Sequence, residues 1–305
     1  MKKHKFLITG GSGLLAVNWA LLQRTIADVT LCFHKRIINL TGVKSTVCNL
    51  DSVNHISSLL KKYKPDVVIH TAGLTNVEKC QQNPELAEYV NVDIAKNVSV
   101  ACSSQGCKLV HISTDHLFDG KKTLLNEEAK LNPLNVYGYT KAKAEEAVYQ
   151  NNQNALIIRT NFYGWGTIYR QSFSDYIINS LRKKQNIYLF DDVIYTPIVV
   201  SQLVKSTYDL IQKGLLGVFN VVGDDCLSKY KFGIKLANKF KLDSSLIKNN
   251  QIENENDLVL RPKNMSLTNN KLSFHLGRCI GGVDKHLNLL IKQETKGIPM
   301  ELLNL

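Results

Sequence analysis

The chain has 305 residues, of which 44% are hydrophobic and 21% are charged. These values are average for globular proteins, so a disordered chain and a collagen-like repeat are excluded, and the length is sufficient for two domains. No stretch approaches the roughly 20 uninterrupted apolar residues of a membrane-spanning helix, so we expect no membrane partner.

Basic residues outnumber acidic ones, since 38 Lys and Arg against 26 Asp and Glu give a formal net charge of +12. Such an excess attracts anionic ligands. The lysines are scattered, however, and aromatic residues do not alternate with them as they do in nucleic-acid-binding segments. We therefore expect no nucleic acid as a partner.

The seven cysteines are an odd number, with no CxxC pair and no histidine nearby at the spacing of metal ligands. This pattern argues against a disulfide framework and against a bound metal. We therefore expect a reducing, cytoplasmic location and no metal site.

Short β-branched runs alternate with helical patterns in the first half of the chain. Strands are predicted at residues 5–9, 29–33, 46–50, 66–70, 108–112 and 155–159. Helices are predicted at residues 14–23, 53–63, 83–105 and 139–150. This alternation is typical of an α/β protein with a doubly wound parallel sheet.

The second half has isolated predicted strands at residues 187–190 and 218–222, separated by polar connections. We predict a main domain over residues 1–165, to which residues of about 196–222 return. The remainder of residues 166–305 is predicted to form a smaller C-terminal lobe.

A glycine-rich turn lies between the first predicted strand and the first predicted helix. It contains Gly10, Ser12 and Gly13 and continues into Leu14 and Leu15. Glycines let the backbone approach a pyrophosphate closely, and the helix N-terminus stabilises its charge. At this position the turn predicts a dinucleotide-binding Rossmann sheet.

The end of the second predicted strand bears on the choice of cofactor. An acidic residue there would bind the ribose hydroxyls of NAD, but this chain has Lys35 and Arg36. A basic pair suits the additional phosphate of NADP, so NADPH is the predicted cofactor. NADH stays open, because two exposed loop charges would give the same pattern.

A tyrosine and a lysine four residues apart would share one face of a helix. Tyr137 and Lys141 form one such pair, and Tyr139 and Lys143 form an overlapping copy. An ammonium beside a phenol lowers the phenol pKa from about 10 and gives a proton donor. Thr114 ends the preceding strand, where a hydroxyl can hold a substrate oxygen.

Several segments, in order, resemble motifs of the dTDP-4-dehydrorhamnose reductase family of extended short-chain dehydrogenases/reductases. They read TGGSGLL, HTAGLTNVEKC, HISTDHLFDG, PLNVYGYTKAKAEE, LIIRTNFYG and RPKNMSLTNNKL, and together they cover nearly the whole chain. The resemblance implies NADPH-dependent reduction of a nucleotide-activated 4-keto-6-deoxy sugar for a surface polysaccharide or glycan precursor. It further implies that the main domain binds NAD(P) and the lobe binds the nucleotide sugar; a homodimer stays open.

The resemblance also implies roles for individual residues. Tyr137 would donate a proton to the sugar carbonyl oxygen, Thr114 would hydrogen-bond that oxygen, and Lys141 would hold the nicotinamide ribose; Tyr137 is thereby chosen over Tyr139. The predicted cofactor contacts are Gly10, Ser12, Gly13, Leu14, Leu15, Lys35, Arg36, Asn49, Leu50, Ala72, Gly73, Leu74, Asn91, Tyr137 and Lys141. The predicted substrate contacts are Thr114, Asp115, Phe162 and Arg261.

The chain departs from the family pattern around the sugar. His116 replaces a tyrosine, Phe162 replaces a tryptophan, and residues 191–197 lack a glycine-containing turn. The identity of the sugar is therefore open. A non-catalytic NADP-binding regulatory subunit, as in methionine adenosyltransferase, is the alternative function. The retained threonine, tyrosine and lysine favour an enzyme, because a scaffold has no need of them.

Overall fold

The computed structural model describes residues 3–255 and 257–305. The strands are β1 (Lys5–Thr9), β2 (Asp28–Phe33), β3 (Lys44–Val47), β4 (Val67–His70), β5 (Lys108–Ile112), β6 (Leu156–Arg159), β7 (Phe162–Tyr163), β8 (Ile187–Phe190), β9 (Ile194–Tyr195), β10 (Ile198–Val199), β11 (Gly217–Asn220), β12 (Leu227–Ser228) and β13 (Ile247–Asn250). The helices are α1 (Leu14–Gln23), α2 (Val53–Tyr63), α3 (Val77–Gln82), α4 (Pro84–Glu88), α5 (Ile94–Ser104), α6 (Val136–Asn151), α7 (Phe173–Arg182), α8 (Val200–Gln212), α9 (Lys229–Lys239), α10 (Asn270–Leu276), α11 (Val283–Thr295) and α12 (Ile298–Leu303).

A seven-stranded parallel sheet lies at the centre, in the order β11-β6-β5-β4-β1-β2-β3. The chain winds outwards from β1 in one direction through β2 and β3, and then in the other direction from β4. The order reverses between β1 and β4, and ligands of such sheets bind outside the carboxyl ends of the strands at this point. The predicted fold class, a doubly wound parallel sheet, is confirmed.

The central strands form because their sequences are apolar without interruption. All four residues of β4, VVIH, are buried, and in β1 only the first residue is partly exposed. Helices on both faces of a parallel sheet remove every side chain of a central strand from water, so no alternation with polar residues is needed. None of the helices in residues 3–255 and 257–305 is long and apolar enough to cross a membrane.

The bounds or the continuity of three predicted elements differ most clearly from those in the structure. The strand predicted at 46–50 lies earlier, at Lys44–Val47, and is mostly exposed because it is an edge strand. The helix predicted at 139–150 begins at Val136, because the side chain of Asn135 caps it by accepting from Gly138 N at 2.9 Å. The long helix predicted at 83–105 contains a π-helical segment, Tyr89–Asp93, between α4 and α5.

The second half of the chain adds a strand to the main sheet and small pairs of strands outside it. β11 pairs with β6, whereas β8 pairs with β13 in parallel and β9 pairs with β12 in antiparallel orientation. Short 3₁₀ helices at Ser244–Leu246 and Ile252–Asn254 flank β13. Contacts between α9 and α7, and between α9 and α11, hold these elements together.

A buried ion pair connects α6 to the sheet. Arg159 of β6 donates from Nε and Nη2 to both oxygens of Glu145, at 2.7 to 3.1 Å, and from Nη1 to the carbonyl of Glu127. The carboxylate of Glu127 in turn accepts from the backbone N of Asn220 in β11 at 2.8 Å. One arginine thus joins α6, β6 and, through Glu127, β11.

We expect Glu145→Ala to lower the free energy of unfolding by about 3 to 5 kcal/mol, because it leaves the buried Arg159 guanidinium without a counter-charge. Chemical denaturation measures this. Lys205→Ala is the control, since it breaks an exposed pair with Asp209 on α8 and should change stability by less than about 1 kcal/mol. Equal effects of the two substitutions would contradict the importance of the buried pair.

Candidate active site

The glycine turn after β1 packs directly against the loop after β4. Gly10 has φ +67°, and a Cβ there would lie 2.8 Å from the backbone of Ala72, so a larger residue cannot occupy the position. Gly13 is the N-cap of α1, and within the described residues no side chain caps this helix. The N–H groups of its first turn, at Leu14 and Leu15, are therefore available to a phosphate.

The loop after β4 is fixed by Asn91, which lies in the π-helical segment. Its Oδ1 accepts from Leu74 N at 2.8 Å, and its Nδ2 donates to Leu74 O at 3.1 Å and to Thr140 Oγ1 at 3.0 Å. A Cβ on Gly73 would come within 3.2 Å of the same Oδ1. Asn91 thus holds the predicted cofactor loop against α6, and its amide N–H groups are engaged in doing so.

The predicted adenosine end of the site lies beyond β2 and β3. Lys35 and Arg36 are exposed, and the Arg36 guanidinium lies 4.2 Å from the centroid of the Tyr169 ring. Asn49 is exposed and bonds Asp51 through Nδ2, at 2.6 Å, whereas Leu50 is buried. The basic pair is thus accessible to an anion, with one member held by an aromatic face.

Tyr137 and Thr114 are brought together where the first turn of α6 meets the backbone beyond β5. A Cβ on Gly138 would lie 2.3 Å from His116 O, so glycine is required for this contact. The ring of His116 packs edge-on against Tyr137, with centroids 5.4 Å apart. Burial raises the pKa of Tyr137 to about 12, and the nearby Thr114 side chain acts in the opposite direction.

Lys141 does not lie against the phenol as the spacing predicted. Its Nζ donates to Ile112 O at 2.7 Å and lies 3.4 Å from His111 Nε2. Burial lowers the pKa of Lys141 to about 8, while Glu145 acts in the opposite direction. The prediction that this ammonium lowers the pKa of Tyr137 is wrong for this structure, because burial dominates and the ammonium is bound to a backbone carbonyl.

Two histidines, which the sequence analysis missed, lie beside Lys141. His70 of β4 and His111 of β5 are register partners, both buried, with stacked rings 5.5 Å apart. Thr9 Oγ1 lies 2.8 Å from His70 Nδ1. Burial lowers the pKa of His70 to about 3 and that of His111 well below its usual value, so both rings are neutral near pH 7. The signal in the sequence was a histidine near the carboxyl end of each of two consecutive predicted strands.

The predicted substrate residues occupy the side of the site towards the second half of the chain. Asp115 is buried, accepts from Asn161 Nδ2 at 2.6 Å, and has a pKa raised to about 6 by burial. Phe162 is partly buried in β7, which pairs with β10. Arg261 bonds the carboxylate of Glu78, so it ties the C-terminal part of the chain to α3.

Arg170 is a further residue of this region that the sequence analysis missed. Its Nη2 donates to Thr75 Oγ1 at 2.6 Å, and its charge lowers the pKa of Tyr137. No motif marks this arginine, so only its position in the fold reveals it.

The parallel sheet, the open glycine turn and the adjoining Thr114, Tyr137 and Lys141 define a Rossmann protein of the short-chain dehydrogenase/reductase class. Residues 4–295 match the family model described as the RmlD substrate binding domain, and the chain belongs to that family. The resemblance to dTDP-4-dehydrorhamnose reductases is thereby confirmed.

Similar known proteins include reductases and a subunit of another enzyme. It is 28% identical to the "probable low-salt glycan biosynthesis reductase Agl14" of Haloferax volcanii, over 88% of this chain and 91% of that protein. It is 27% identical to methionine adenosyltransferase 2 subunit beta of Bos taurus, over 79% of this chain and 74% of that protein. A crystal structure of dTDP-4-dehydrorhamnose reductase from Bacillus anthracis in complex with NADP superposes with a TM-score of 0.82, at 23% identity, over 96% of this chain and 100% of that chain.

The buried His70 predicts a specific acid sensitivity. Its pKa of about 3 is below the value of about 6.5 in an unfolded chain, so the unfolded state takes up the proton first as the pH falls. The contribution to stability is complete above pH 6.5 and is lost towards pH 3, by up to about 1.4 kcal/mol per pH unit.

We therefore expect His70→Asn to have a shallower loss of unfolding free energy between pH 6 and pH 4.5, by about 1.4 kcal/mol per pH unit. Denaturation curves at several pH values measure the slope. His55→Asn, at an exposed position of α2, is the control and should keep the wild-type slope. A wild-type slope in His70→Asn would show that His70 is protonated in the folded protein.

Proposed function

We propose that the protein reduces the 4-keto group of a nucleotide-activated 6-deoxy sugar with NADPH, and so supplies a precursor for glycan or polysaccharide synthesis. The observation that carries this proposal is the close approach of α6 at Gly138 to the backbone of His116, which brings Tyr137 to the carboxyl end of β5, where Thr114 lies. The reductase relatives support the reaction class, and the RmlD family supports a sugar substrate.

Tyr137 is the proton donor in this proposal. Because burial raises its pKa to about 12, the phenol is protonated at neutral pH. It can donate to the oxygen of a bound carbonyl, on which negative charge develops during reduction. The Thr114 hydroxyl donates to Asp115 Oδ1 at 3.3 Å in the structure, and in this proposal it turns to donate a second hydrogen bond to that oxygen and orients the carbonyl group.

Lys141 positions the cofactor in this proposal. Its bond to Ile112 O fixes the ammonium at the carboxyl end of β5, from where it would hold the nicotinamide ribose. NADPH, when bound, supplies the hydride for the carbonyl carbon. The glycine turn fits the pyrophosphate of such a cofactor, because Gly10 leaves no side chain in the way and the first turn of α1 offers free N–H donors.

NADPH rather than NADH is the proposed cofactor because of the charges beyond β2. Lys35 and Arg36 are exposed where a 2′-phosphate would lie, and Tyr169 supports the guanidinium. The similar dTDP-4-dehydrorhamnose reductase was determined in complex with NADP.

A non-catalytic regulatory subunit is the rival proposal, supported by the similarity to methionine adenosyltransferase 2 subunit beta. A scaffold would bind NADPH without turning over a keto sugar. It would also have no use for a buried phenol paired with a hydroxyl. The two proposals therefore differ in the effect of removing the phenol oxygen.

We expect Tyr137→Phe to lower turnover by about 10² to 10⁴, the range for a positioned general acid, while NADPH binding stays within a few-fold of wild type. The assay follows NADPH oxidation with a nucleotide-linked 4-keto sugar. Tyr139→Phe is the matched control, because Tyr139 is exposed in the same helix and should retain full activity. Undiminished turnover in Tyr137→Phe would exclude the proposed donor, and no turnover in the wild type would favour the regulatory subunit.

A further inference from the structure

Lys229 is held in an unusual position beside the candidate active site. It is the first residue of α9, and its backbone N donates to Val193 O at 3.1 Å. Its Nζ lies 4.3 Å from the centroid of the Tyr195 ring and 4.7 Å from that of Phe173. The two aromatic rings therefore fix the ammonium in one place.

The ammonium has no hydrogen-bond partner among the described residues. No acceptor there is within hydrogen-bond distance of Nζ, and no carboxylate is within 4.0 Å. Aromatic faces attract a cation, but they do not replace the three acceptors that an ammonium can engage. The side chain is partly buried, and burial lowers its pKa to about 8. A desolvated ammonium is most stable when an anionic oxygen accepts from it.

The charge of Lys229 reaches the predicted substrate residues. It lowers the pKa values of Asp115 and His116, and the charge of Arg261 lowers the pKa of Lys229 in turn. His116 packs against the ring of Tyr137. Lys229 therefore lies close to Asp115 and His116, two residues of the candidate site next to Tyr137.

Two other cations of this region, Arg261 and Lys263, are already paired with carboxylates. Arg261 bonds Glu78, and Lys263 Nζ lies 3.3 Å from Asp192 and 2.5 Å from Glu253. Arg261 and Lys263 would each have to give up a carboxylate partner to bind an anionic ligand. Lys229 has no such partner to give up.

We propose that Lys229 binds an anionic oxygen of the nucleotide-linked substrate and so contributes to substrate specificity. The oxygen belongs to the diphosphate, since a 6-deoxy sugar has no carboxylate and a diphosphate accepts strong charge-assisted hydrogen bonds. This inference rests on the proposed function. It adds to it a cation that none of the sequence motifs contains.

The test is calorimetric titration of the full-length protein with saturating NADPH. dTDP, UDP, GDP and CDP are titrated first, and then the glucose conjugate of whichever base binds. We expect Lys229→Met to weaken binding about tenfold or more. The loss should already be present with the nucleoside diphosphate, because the diphosphate is the proposed partner, and a loss confined to the glucose conjugate would contradict this.

Two further variants separate binding from structure. Lys231→Met, at an exposed position of the same helix, should bind like the wild type. Lys229→Arg should recover most of the affinity, because it keeps the charge. Wild-type affinities in Lys229→Met for every ligand would overturn the inference and leave the proposed function standing. Failure of the wild type to bind any nucleotide or conjugate would overturn both.

Discussion

The active-site geometry depends on the close contact between the first turn of α6 and the backbone that follows β5. A Cβ at Gly138 would lie 2.3 Å from His116 O, so the helix can approach only because residue 138 has no side chain. Asn135 fixes the start of the same turn by capping it and by donating to Leu260 O at 2.9 Å. Tyr137 is thereby held near Thr114. The same asparagine also binds the loop that contains Leu260.

Burial determines the protonation of the groups around this contact. It raises the pKa values of Tyr137 and Asp115 and lowers that of Lys141 to about 8. The stacked pair His70 and His111 is neutral for the same reason. At neutral pH the carboxyl ends of the central strands thus carry a protonated phenol, two uncharged histidine rings and the Lys141 ammonium, while Asp115, with a pKa of about 6, is mostly ionised. The cations Lys229 and Arg261 lie further out, towards the lobe.

The sequence predicted those elements whose signals are local. The bounds of β1, β5, β8, α1 and α2 agree with the predictions, because apolar runs and turn residues mark both of their ends. The start of α6 was predicted three residues too late, because Gly138 in its first turn is a weak helix former. The edge strand β3 was predicted two residues too late, because an exposed strand needs no apolar pattern to mark its bounds.

Side-chain partners across the sheet were beyond prediction from sequence alone. The stacking of His70 on His111 requires the register of β4 against β5, and the bond from Lys141 to Ile112 O requires a rotamer choice. The aromatic support of Lys229 joins residues of β9, α7 and α9, which lie far apart in the chain. The cofactor and substrate roles assigned to residues from the sequence stay predictions.

The most direct test of the proposed function is a comparison of substrates. A nucleotide-linked 4-keto-6-deoxyhexose, generated in situ, is assayed by NADPH oxidation beside the same sugar without its nucleotide and beside simple ketones. The proposed function predicts that kcat/KM is far higher for the nucleotide-linked sugar, because contacts remote from the carbonyl place it against Tyr137. Comparable kcat/KM values for the free compounds would contradict it and indicate a general carbonyl reductase.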